Sequence, residues 1–120
     1  MYGTSPEMMK NLYVQGSLKN QGEGFVFQVK NTIDSGSVAG ISKVAVDDQE
    51  RPLEGATIQI GDKARPVTEI TWSSPLYVSY GSTLTIYVPG KLTPGEHTIS
   101  AQFNVPELGR ISLPITATVS

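Results

Sequence analysis

The chain has 120 residues, 38% of them hydrophobic and 17% charged, with a formal net charge of −2 and no cysteine. That length fits one domain with a core large enough to stand without a metal or disulfide staple. Lys and Arg stand singly, so no basic stripe favours nucleic acid, and the lack of cysteine excludes disulfides, thiolate chemistry and Cys-ligated zinc. No apolar run reaches the roughly 20 residues of a membrane-spanning helix, and Met1 to Glu7 lack the basic and apolar regions of a leader, so a cytoplasmic location is expected.

Ser5, Pro6 and Glu7 read as a helix start, with Ser5 as N-cap, Pro6 in the first turn and Glu7 on the positive end of the dipole. Met8 and Leu12 share a face of this short helix, which is expected to plug one end of a sheet or to dock on a partner. Residues 1–12 are thus a helical lead-in, and 13–120 a single domain.

From there the signal is β. Phe25, Phe27 and Val29 alternate with polar or smaller neighbours and suggest a central strand, and Ile41 to Val46 returns with Val44 and Val46 inward. Asp47 to Glu50 is a turn. Ala56, Ile58 and Ile60 form a short strand, and Gly61-Asp62 is a two-residue hairpin turn into a strand over Val67 to Trp72 that Pro66 places at an edge. Leu76 to Tyr80 then leads into the strongest segment. Leu84, Ile86 and Val88 alternate with Thr83, Thr85 and Tyr87, and after a Pro-Gly turn the same parity carries Ile99 to Val105 and Ile111 to Val119. Pro114 has no N–H to donate, so the last strand must run along an edge or carry a bulge. The fold expected is all-β, an immunoglobulin-like sandwich of about eight or nine strands behind the short N-terminal helix.

No catalytic signature stands out. No glycine-rich loop follows a strand and opens a helix, which argues against nucleotide enzymes of the usual kinds. Asp47, Asp48, Glu50 and Glu54 lack the spacing of a calcium loop and read as a solvated turn, so neither a metal nor a cofactor is expected. Pro94 and Gly95 suit a type II turn. His97, the single histidine, sits at the mouth of the next strand and reads as a structural residue; an acid–base role would need a partner such as Asp34 or Glu69. Trp72, Tyr77, Tyr80 and Tyr87 are the aromatics least clearly assigned to the core. With His97 they are the candidate contacts for a partner protein or ligand.

The runs Gly24 to Val29, Val44 to Asp47 and Pro89 to Ile99 come in an order that resembles the small β-subunit family of bacterial C-glycoside deglycosidases. The resemblance implies a β-sandwich that associates with a larger subunit holding the metal and the catalytic groups. On that reading the chain is an accessory subunit, not catalytic by itself, that binds and stabilises a larger enzyme subunit or a second copy of itself. The alternative expectation is an independent carbohydrate- or small-ligand-binding module using Trp72, Tyr77 and Tyr80.

Overall fold

The computed structural model describes residues 11–106 and 108–119. Eleven strands and one turn of 3-10 helix make up its regular structure. They are β1 (Lys19–Gln21), β2 (Gly24–Lys30), β3 (Gly36–Val38), β4 (Gly40–Val46), β5 (Gln49–Glu50), β6 (Thr57–Ile60), β7 (Lys63–Pro66), the 3-10 turn (Val67–Glu69), β8 (Leu76–Val78), β9 (Thr83–Pro89), β10 (Gly95–Val105) and β11 (Gly109–Val119). Asn11 and Leu12 carry helical backbone, and the rest of the expected N-terminal helix lies outside the described residues.

The strands form two main antiparallel sheets, ordered β1-β2-β9-β6-β7 and β11-β10-β4-β5, and a ribbon of β3 with β8. Alternation explains the layering. Phe25, Phe27, Ile58, Ile86 and Val88 of the first sheet and Val44, Ile99, Leu113 and Ile115 of the second are almost completely buried, and all belong to one apolar core. Each such side chain stabilises the fold by about 1.5–3 kcal/mol relative to leaving it in water. The arrangement is sandwich-like, as the alternation requires of sheets with one wet face.

The three alternating runs from Thr83 to Val119 fall in different sheets: β9 pairs with β2 and β6, whereas β10 pairs with β4 and β11. The Pro89 to Pro94 segment is therefore a crossover between sheets, anchored by Leu92, which is buried. The strand expected over Val67 to Trp72 is the 3-10 turn instead. Val67 and Ile70 are the buried pair there, three residues apart, and Ile70 N–H donates to the Val67 carbonyl, which is turn rather than strand geometry. The strand count is also higher, because short pairs such as β3 with β8 carry little periodicity of their own. The prolines behave as expected: β7, ending in Pro66, and β11, containing Pro114, both run at sheet edges.

The β10–β11 hairpin sets the long dimension. Eleven residues at about 3.3 Å each reach roughly 36 Å, and the largest extent of the described chain is 36 Å. One end of the molecule thus holds Gly95, Val119 and the β4–β5 turn. The other holds the β10–β11 turn, the start of β4 and the β3–β8 ribbon.

Candidate functional site

At the first end His97, Asp47, Asn20 and Arg51 are tied to backbone groups or to one another. β4 and β5 are joined by Asp47 and Asp48, whose φ angles of 51° and 69° give the left-handed two-residue turn that matches strand twist. Asp47 Oδ1 accepts the Thr98 N–H (2.9 Å), and its Oδ2 accepts His97 Nδ1–H (2.7 Å). His97 Nε2–H donates to the Thr93 carbonyl at 2.7 Å. Both ring nitrogens therefore face acceptors, an arrangement only the doubly protonated ring satisfies. The Asp47 carboxylate first, and the Thr93 carbonyl second, raise the His97 pKa above its ordinary value; the Thr98 N–H, and then His97, lower that of Asp47. Around this pair, Asn20 exchanges two hydrogen bonds of 2.8 Å with the backbone of Leu92, and Arg51 reaches the Gly90 carbonyl (3.2 Å) while lying 5.9 Å from the centre of the Phe25 ring.

Chemically this end is a clasp. His97 keeps no free ring nitrogen for a substrate, and its carboxylate partner is Asp47, not the Asp34 or Glu69 considered from sequence. The Thr93 carbonyl of the expected type II turn is taken by the imidazole. Asp34 lies at the far end, and the Glu69 carbonyl serves Arg65. No group of three or more potential metal ligands occurs among the described residues.

The second end is open. Between the two sheets lies a cleft of about 310 Å³, lined by Leu12, Val29, Val38, Val78, Leu84, Phe103 and Ile111 together with the more exposed Ile33 and Leu108. Its rim is the loop from Asn31 to Ser37. Asn31 shapes that loop: its side-chain amide donates to the carbonyls of Asp34 (2.7 Å) and Val78 (3.2 Å), and its Oδ1 accepts the Ile33 and Asp34 N–H groups. Ser35 Oγ accepts the Tyr80 N–H (2.8 Å), which fixes the loop to the turn between β8 and β9.

Two exposed tyrosines, Tyr77 and Tyr80, flank the rim loop at this end. Trp72, Tyr77 and Tyr80 are 66%, 64% and 63% exposed, and Leu108, at the β10–β11 turn, is 40% exposed. Tyr77 pairs with Ser37 in the ribbon and alternates with Val78, which points into the cleft. Trp72 tips the segment that Arg65 organises through the carbonyls of Glu69, Ser74 and Pro75 and the Ser74 hydroxyl. Tyr87 and His97 do not join them. Tyr87 is half-buried on β9 and lies over Gly24, where a Cβ would collide with its ring; this is cross-strand packing. His97 belongs to the clasp. The cleft itself went unrecognised in the sequence, because its walls come from β2, β3, β8, β9, β10 and β11 and each reads locally as ordinary core.

A family model described as hydroxymethylglutaryl-CoA reductase, N-terminal domain, matches residues 8–120. No curated protein matches the chain. The family match overturns the resemblance to C-glycoside deglycosidase β-subunits, and with it the accessory-subunit and independent-module expectations. The Pro-Gly-Glu-His turn that carried the resemblance has a sufficient structural reason here, since His97 closes on Thr93 and Asp47.

Proposed function

The chain belongs to the hydroxymethylglutaryl-CoA reductase N-terminal domain family, and from that premise we propose that it is a docking domain within such a reductase, its open end set against the remainder of the enzyme. The observation that carries this reading is the exposure of Tyr77, Tyr80 and Leu108 around the cleft, with Trp72 also exposed on the segment before the ribbon. Large aromatics are enriched among the residues that anchor protein interfaces, and a solvated surface gains nothing from exposing three of them. At the clasp, by contrast, both ring nitrogens of His97 are engaged, so its imidazole offers nothing to a substrate. Reduction of the thioester is assigned to other parts of the enzyme.

Within this reading the sandwich is of immunoglobulin type. The order β1-β2-β9-β6 corresponds to strands A, B, E and D of that fold, and β11-β10-β4 to G, F and C. The strand order supports this, as does the crossover from β9 to β10.

Hydrogen exchange tests the docking role. Amides of residues 70–82 and 108–110 should exchange more slowly in the intact reductase than in this chain alone. Protection confined to the clasp end, or none at all, would overturn it, as would release of free coenzyme A from hydroxymethylglutaryl-CoA catalysed by this chain alone.

A further inference from the structure

The cleft has a chemistry that the docking surface does not use. Its deep walls, Val29, Val38, Val78, Leu84, Phe103 and Ile111, are each at most 8% exposed, so the space is recessed between the sheets and closed to a flat partner surface. No buried side-chain nitrogen or oxygen among the described residues lacks a hydrogen-bond partner, so the interior offers nothing to hold water or a polar ligand. At the rim, Asn31 and Ser35 spend their hydrogen bonds on the loop and on Tyr80. Asp34 is the one charged residue among the described lining residues; its Oδ1 accepts the Ser35 N–H, and its other oxygen has no partner among the described residues.

We propose that this cleft is a binding site for a small hydrocarbon-bearing molecule whose head group is neutral or cationic. A dry cavity of about 150 Å³ holds benzene, so twice that volume accommodates roughly ten to twelve carbons. The single rim carboxylate sets the head-group preference: it attracts an ammonium, tolerates a hydroxyl and repels a carboxylate or phosphate. The site is therefore selective against anionic acyl compounds. It is a feature of the reductase domain, distinct from the exposed aromatics, and it stands whether or not the open end docks.

The test is methyl NMR of the whole chain titrated with 1-decanol, decylamine and decanoate near neutral pH. The first two should move the methyl signals of Val38, Val78, Leu84 and Leu108 saturably and leave Leu92 and Val46 at the clasp unmoved. Decanoate should bind about tenfold more weakly, and Asp34→Asn should bring the decylamine and decanoate affinities together. Val105→Trp, which fills the cleft from its half-buried wall, should abolish binding; if that variant does not fold, Leu108→Gln should weaken decanol severalfold. Three results would each overturn the proposal: no movement of the cleft methyls with any probe at millimolar concentration, equal affinity for decanoate, or contacts from another part of the chain filling the cleft that decanol fails to displace. The exchange experiment on the intact reductase is read separately, so either proposal can fail alone.

Discussion

The two ends of this sandwich are built by opposite means. At one, a histidine, an asparagine and an arginine bind backbone or carboxylate partners across the sheet junction, and Leu92 is buried beneath them. At the other, a loop and a two-stranded ribbon arch over an apolar cleft, and large aromatics stand in solvent. Polar groups that satisfy one another make a surface rigid and chemically silent, because none is left to bind anything else. Apolar surface left uncovered costs free energy in water and is recovered only when something covers it. The contrast is the physical basis for proposing the open end as the docking surface.

The largest effect that could break this comparison is at paired leucines. Leu92→Ala should destabilise the chain by about 2–5 kcal/mol in chemical denaturation, and Leu108→Ala by less than about 0.5 kcal/mol. Similar values for the two would mean the open end is as well packed as the clasp. Asn20→Ala removes both bonds to Leu92 and should cost about 1–2 kcal/mol by the same measurement. In the other direction, Asp48→Gly relieves the left-handed conformation at φ 69° and should stabilise by about 1 kcal/mol.

The pH dependence sharpens the picture further. His97 binds its proton more tightly when folded, so its contribution is complete below pH 6.5 and is lost as pH rises through the raised folded-state value. Asp47 has the opposite sign: its contribution is present above pH 3.8 and is lost as pH falls through the lowered folded-state value. The stability difference between the native chain and His97→Gln should accordingly be greatest between pH 3.8 and 6.5 and shrink on either side. An NMR titration of the His97 ring with a midpoint at or below 6.5 would contradict the clasp geometry. The smallest expected effect is at the aromatics. Replacing Trp72, Tyr77 and Tyr80 by Ala should change stability by less than about 0.5 kcal/mol each while removing the slow exchange expected in the intact reductase.

Much of the fold was legible without coordinates. Period-two alternation marked β9, β10 and β11 because each buries one face, and that constraint acts on every second residue of the strand itself; β2 and β4 stand out by their apolar runs and are buried on both faces over part of their length. Pro66 and Pro114 located edges because a missing N–H is a local property. Gly61-Asp62 marked its hairpin for the same reason. Among the aromatics that the alternation left unassigned, Trp72, Tyr77 and Tyr80 are exposed, whereas Tyr87 packs over Gly24, a neighbour distant in sequence.

What tertiary structure alone decided is which strands pair and what their ends enclose. Thr83 to Pro89 and Gly95 to Val105 look alike in sequence, yet they lie in different sheets, since alternation fixes a strand's faces and says nothing of its neighbours. The bond between Asp47 and His97 closes across 50 residues and the Asn20–Leu92 pair across 72, distances over which no local pattern operates. The cleft is the extreme case. A wall side chain and a core side chain obey the same hydrophobic rule, and only the separation of the two sheets at that end determines which of them faces an empty space.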